Sequence, residues 1–191
     1  VNDDREYAIL GLRNGVGIVE VTDPEAPRMV GSLASQSTAW RDIKVYQHFN
    51  TETMRWDSYA YVTADSASVG TMIIDLRSLP DEISVVSTDE TDISAHNVYL
   101  SNVDYSLGVA LNDVEPYLHI AGSNRQGGSF NTYGLQNPQQ LSSVYANPSS
   151  SRSNYSHDVS SMVVTDERKD TQCVAGGPYC EIFFDFNEDN F

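Results

Sequence analysis

Two histidines, His96 and His157, sit in matching surroundings, each followed by Asn or Asp and then Val: "AHNVYL" at Ala95 to Leu100 and "SHDVSS" at Ser156 to Ser161. An earlier segment, "WRDIKV" from Trp40 to Val45, carries Arg41 in the histidine column and Asp42 in the next. Imidazole nitrogens and carboxylate oxygens are ligands for transition metals, and carboxylates alone suit harder cations. His96, His157 and Asp158 are therefore candidate ligands of a divalent cation. Arg41, Asp42, His96, Asn97, His157 and Asp158 together form a candidate seat for a polar ligand. The recurrence also has a structural explanation, in which each pair hydrogen-bonds backbone groups at the start of its own strand, because buried polar groups must be satisfied.

Cys173 and Cys180 flank "VAGGPY", a stretch that can turn the chain back on itself, and a local disulfide between them is expected. Their spacing is not C-x-x-C, and the nearest histidine in sequence is His157, so zinc and thioredoxin chemistry have little support. In "DFNED", Asp185, Asn187 and Asp189 alternate like the opening of a Ca²⁺ loop, but the Gly and Glu of an EF-hand are missing. A row facing solvent along one side of a strand is expected there. Asp166, Glu167 and Asp170 are loop charges, and His48 and His119 have no counterpart in the other segments. No G-x-S-x-G elbow is present, and "AGSNRQGGS" around Ser123 lacks phosphate-loop spacing. Asn154 lies in an "NYS" sequon inside a polar connector, which matters only in a eukaryotic secretory host.

Short runs rich in Val, Ile, Tyr and Thr, bounded by Gly, Pro, Asn and Asp, must position these residues. The runs align. "YAILGLRNGVGIVEVTDPEAPRMVGSL" from Tyr7 and "YAYVTADSASVGTMIIDLRSLPDEISVVS" from Tyr59 pass through the same strand, Gly turn, strand, Pro turn and strand. A third copy starts at Tyr117 and a partial fourth at Tyr179. Each later copy follows one of the three marker segments, at intervals somewhat longer than the ~40 to 50 residues of familiar propeller repeats. The excess lies in the insertions "QHFNTETMRWDS", "SNVDYSLGVALNDVEP" and "TDERKDTQCVAGGP". A marker strand followed by three more is the four-stranded antiparallel blade of a β-propeller. The expected fold is all-β: an arc of about three such blades in one domain, with segments near 7–34, 40–88, 94–146 and 155–191. A β-sandwich has similar short strands but gives no reason for the recurring markers.

The chain has 191 residues, 40% hydrophobic, enough for a sizeable core. Its 27 Asp and Glu outweigh 11 Lys and Arg, giving a formal charge of −16 that repels phosphate backbones and argues against a nucleic-acid partner. No apolar run reaches the ~18 to 20 residues of a transmembrane helix. The start at Val1 and a final strand-like "EIFFDFNEDNF" point to a piece of a larger propeller, whose remaining blades would be partners of this arc.

"GVGIVEVTDPEAPRMVGSL" from Gly15 resembles the LVIVD repeat, in which alternating aliphatics run into an Asp-Pro-x-x-Pro turn; Val16, Ile18, Val19 and Val21 supply the strand, and Asp23, Pro24 and Pro27 the turn. "LRSLPDEIS" and "LQNPQQLS" keep one proline each. With the marker segments and "CEIFFDFNED", nearly the whole chain resembles the choice-of-anchor B family of bacterial secreted propellers. That resemblance implies an exported, periplasmic or surface-anchored protein and brings no catalytic residue set. The function expected is a binding or structural scaffold for a protein or polar ligand. The alternative is a metal-dependent hydrolase or lyase using the His and Asp residues.

Overall fold

The computed structural model describes residues 4–111, 114–146, 155–173 and 177–187. They form an all-β protein of four sheets in chain order. The first comprises β1 (Tyr7–Leu12), β2 (Gly15–Glu20) and β3 (Arg28–Ala34), a meander in the order β1-β2-β3. The core of the second is β4 (Ile43–Asn50), β5 (Arg55–Val62), β6 (Thr71–Asp75) and β7 (Ser84–Asp89). The third runs β8 (Asn97–Ser101), β11 (Tyr117–Ala121), β12 (Phe130–Gly134) and β13 (Ser142–Ala146). The last pairs β14 (Ser156–Val164) with β15 (Cys180–Asn187).

Strand alternation fills three apolar clusters, one at each junction between successive sheets. Val16 and Ile18 of the first sheet meet Ala60, Val62, Met72 and Ile74 of the second. Tyr59, Tyr61 and Ile73 point from the opposite face of that sheet toward Val98, Leu100, Leu118 and Ile120 of the third. Ala121 and Phe130 then meet Val159 and Phe183. Because successive side chains along a strand alternate faces, a sheet covered on both sides needs apolar residues at adjacent positions, which is what "YAYV" and "TMII" provide. β4, β8 and β14, the strands that carry the marker segments, contact one another in turn. The start of each therefore lies near the starts of the others.

Turn chemistry follows the sequence. Leu12 pairs with Gly15 across the two-residue Arg13-Asn14 turn. Gly15 has φ +151°, and a Cβ there would lie 1.9 Å from the Leu33 carbonyl oxygen, so only glycine lets β2 approach the end of β3. A Cβ at Gly70 would meet the Asp89 carbonyl oxygen at the same 1.9 Å. In "DPEAP", the Glu25 N–H donates to Asp23 Oδ1 at 3.0 Å, the side-chain turn that an Asp before Pro sets up. Each three-strand meander also has a register shift between its last two strands, at Ile18/Val19, Ile73/Ile74 and Thr132/Tyr133.

The insertions are more ordered than connectors. "QHFNTETMRWDS" lengthens the β4–β5 hairpin, pairing Gln47 to Asn50 with Arg55 to Ser58. Tyr59 consequently lies inside β5, whereas Tyr7 and Tyr117 open their strands and Tyr179 immediately precedes β15. From "SNVDYSLGVALNDVEP" comes a short hairpin, β9 (Val103–Asp104) and β10 (Val109–Ala110), which docks in parallel on β4 of the preceding sheet. Gln47 N–H donates to the Gly108 carbonyl at 2.6 Å, and Gln47 Nε2 to that of Leu107 at 2.8 Å. The third insertion includes a single helical turn, α1 (Lys169–Gln172).

Cys173, just after α1, is bonded to Cys180 at the start of β15, with Cα atoms 5.9 Å apart. Neither cysteine should take up an alkylating reagent in protein purified without reductant, and both should after reduction. Mass spectrometry finding two free thiols in protein never exposed to reductant would contradict the pairing.

The expectation of a solvent-facing acidic row on the final strand needs correction. Asp185 and Asn187 are partly buried while Phe184 and Phe186 are exposed. Packing of Phe183 against Phe130, ring centroids 4.5 Å apart, fixes the register of β15 and turns the alternate Asp185 and Asn187 toward the third sheet. Burial pushes the Asp185 carboxyl above its ordinary value. Asp189 and Asn154 lie outside the described residues.

Candidate functional site

The starts of β4, β8 and β14 bring the marker residues together in two layers. In the inner layer, the Asn97 amide nitrogen donates to Asp42 Oδ2 at 3.0 Å and to Asp158 Oδ1 at 3.1 Å, linking three sheets. Asp42 Oδ2 also accepts the Val98 backbone N–H at 3.0 Å, and its Oδ1 accepts Ile43 N–H and Lys44 Nζ, both at 2.8 Å. An amide is well suited to the middle position. Aspartate at 97 would set three carboxylates side by side with no proton to share, whereas the amide donates both ways. The Asn97 Oδ1 atom is buried without a protein partner.

The outer layer holds the histidines. Their ring centroids are 4.2 Å apart, with planes inclined at 51°. His96 Nδ1 lies 2.9 Å from Asp65 Oδ2, and His157 Nδ1 lies 2.9 Å from Asp158 Oδ2. An ionised carboxylate only accepts, so in these contacts each Nδ1 carries a proton and donates. The Trp40 indole stacks on His96 with planes 9° apart and centroids at 5.3 Å, and its Nε1–H donates to the His96 carbonyl at 3.1 Å. Asp65, His96, Tyr155 and His157 line an open cavity of about 270 Å³.

Of the six marker residues, five are thus joined or adjacent. Arg41 is not among them. Its Nε donates to the Leu12 carbonyl at 2.9 Å and Nη2 to that of Gln36, which hold the guanidinium beside the first sheet. Among the described residues no three His, Cys, Asp or Glu side chains form a metal-ligand group. Asp158 meets His157 as a hydrogen-bond acceptor, and the imidazole–carboxylate pairs orient the rings in the way that ligating histidines are commonly oriented.

Sequence reasoning missed Asp65, Trp40 and Tyr155 as site residues. Asp65 follows Tyr59 by the interval at which Arg13 follows Tyr7 and Ser123 follows Tyr117, so extending the alignment past the strands would have found its column. Trp40 and Tyr155 carry no such signal, since the aligned positions hold unrelated residues. No protein-family model, curated protein or solved structure matches this chain.

Proposed function

We propose that the four sheets are successive blades of a β-propeller and that the chain serves as an extracellular or cell-surface binding scaffold. The ligand seat is the rim cavity lined by Asp65, His96, Tyr155 and His157. The observation that carries this reading is the hydrogen-bonded chain Asp42–Asn97–Asp158 at the starts of three successive first strands, since residues related by rotation about one axis converge on it. Apolar clusters at each sheet junction, register shifts recurring between the last two strands, and the resemblance to LVIVD-repeat propellers support it. The disulfide fits an oxidising compartment. No helix among the described residues is long and apolar enough to cross a membrane.

A binding role is favoured over a metal-dependent hydrolase or lyase because the rim offers two imidazoles and the described residues add no third His, Cys, Asp or Glu placed to complete a metal-ligand group with them. The imidazole Hε1 resonances of His96 and His157 report on the cavity, with those of His48 and His119 as internal controls. Titration of the native-length protein with polar small molecules and divalent cations is expected to give a ligand that moves the first pair alone and loses its effect in His157→Ala. A panel that leaves both resonances still would remove the rim as a binding seat. A cation that moves both at micromolar concentration and supports turnover of an ester, lost in His96→Ala and His157→Ala, would instead favour the enzyme.

A further inference from the structure

A second cavity, of about 470 Å³, opens between the β1–β2 turn and the segment leading into β4, with Trp40 in its lining. Arg13, Ser37, Thr38, Trp40 and Arg41 line it. Arg13 stands in the same column as Asp65, and Arg41 in the same column as His96. At the junction of the second and third sheets this pair of positions is closed by opposite polarity, Asp65 against His96 at 2.9 Å. At the preceding junction both positions hold guanidinium groups, which cannot pair with each other.

Neither arginine has a carboxylate partner among the described residues. Arg13 Nε donates to Ser37 Oγ at 3.3 Å, and Arg41 is held by two backbone carbonyls. Arg5, Arg28, Arg77 and Arg168 lie within salt-bridge distance of an acid, and Arg55, at the β4–β5 turn, is the other described arginine outside such a pair, in a chain carrying 27 acidic residues against 11 basic ones. Burial alone pulls the Arg41 guanidinium below its ordinary value, as expected for a cation desolvated without a counter-charge. Gly11 makes room for it: a Cβ at Gly11 would lie 3.0 Å from that of Arg41. Trp40, 53% exposed, adds a flat apolar surface beside the two cations.

We infer that this cavity binds an acidic saccharide, with Arg13 and Arg41 holding the carboxylate of a uronate unit and Trp40 covering a sugar face. Guanidinium groups bind carboxylates through paired N–H donors, and an indole plate beside hydroxyl groups suits a ring with one apolar face and polar edges. The formal charge of −16 opposes anions at long range, but ionic screening leaves that field weak beyond ~8 to 10 Å, so the local arginines decide. Trp40 also stacks on His96 and so borders both cavities, but the anion contacts come from Arg13 and Arg41 alone, so the inference does not rest on the propeller reading, and the Arg13 substitutions separate it from the histidine rim.

The chain has two tryptophans, and Trp56→Phe leaves Trp40 as the sole indole reporter. In that background a galacturonate trimer is expected to give a saturable change in emission, and a neutral glucose trimer none at the same concentration. Calorimetry should show the dissociation constant rising at least tenfold in Arg13→Gln, with partial recovery in Arg13→Lys. Arg13 bonds only a surface serine, so its substitution leaves the fold intact and the test informative even where Arg41→Gln misfolds. Binding unaffected by Arg13→Gln, no saturable binding at millimolar trimer, or sulfate or a glutamate-rich peptide competing as well as the trimer would each overturn the saccharide site. Failure here, with the histidine resonances still responding to a ligand, would leave the rim proposal standing.

Discussion

Replacing Asp92 by alanine is expected to cost the fold about 3 to 5 kcal/mol, read as a lower urea midpoint with an unchanged slope. Asp92 lies between the second and third sheets and is 1% exposed. Its carboxylate accepts from Ser123 Oγ at 2.9 Å, Asn131 Nδ2 at 2.7 Å and the Tyr133 hydroxyl. Alanine removes the acceptor shared by three buried donors, and losing a buried hydrogen bond of this kind costs about 1 to 3 kcal/mol, while part of the loss is recovered as the carboxylate no longer has to be desolvated. Asparagine keeps one acceptor oxygen but turns an amide toward groups that are themselves donors, so it should recover less than half of the loss. Tyr133 responds to the same carboxylate: burial and the neighbouring Asp92 push its hydroxyl above the usual tyrosine value. An alanine variant within about 0.5 kcal/mol of the parent would mean that water satisfies these donors in solution and that Asp92 is not a structural hub.

The second large effect is on acid stability. His119 is buried, with Nδ1 2.9 Å from Thr132 Oγ1, Nε2 2.9 Å from Ser101 Oγ, and the Phe183 ring centroid at 4.6 Å. A neutral imidazole, one nitrogen donating and one accepting, matches two hydroxyls. Burial therefore pulls its pKa down to about 3. The unfolded chain takes up the proton near 6.5, so below that value the unfolded state binds more protons and stability falls as the pH falls. The stabilising contribution is complete above pH 6.5 and is lost as the pH approaches 3, by roughly 1.4 kcal/mol per unit, or about 3 kcal/mol between pH 6.5 and 4.5. His119→Gln can still bridge both hydroxyls but cannot titrate. Its urea midpoint should therefore depend on pH less steeply than the parent's by one proton's worth over this window. Parallel slopes in the two proteins would show that His119 charges within the folded state.

These two residues show where the sequence is silent. The strands were legible because alternation and β-branched composition are local properties, and "GVGIVEV" and "TMIID" become buried strands as their patterns predict. The Asp42, Asn97 and Asp158 column was legible for the same reason, since an Asp or Asn repeated just before the Ile or Val of each marker segment needs no knowledge of depth. Asp92 sits in "TDETDIS", where each acid has the composition of a solvated turn, and only the meeting of two sheets decides which one is enclosed. His119 occupies an ordinary place in an alternating strand, and its environment is set by Phe183, far away in sequence. Arg41 shares the histidine column yet diverges from the histidines, because the carbonyls of Leu12 and Gln36 lie within reach of the longer side chain. The Phe184 and Phe186 side chains were similarly unreadable, as one residue of register exchanges the two faces of β15.

The β9–β10 hairpin alters how the molecule would carry a mechanical load. At the junctions of the first with the second sheet and of the third with the last, no strand ladder among the described residues crosses between neighbours, and side chains alone hold them. A pull on the chain ends could peel those outer sheets away one strand at a time. Between the second and third sheets, backbone from the third segment is laced onto β4, so the same tension meets hydrogen bonds across a sheet boundary as well as an apolar cluster. The middle of the chain is thereby built as a single tensile unit, with the last resistance to extension concentrated along β4 and past the end of β8, away from the strand starts that carry the histidine rim.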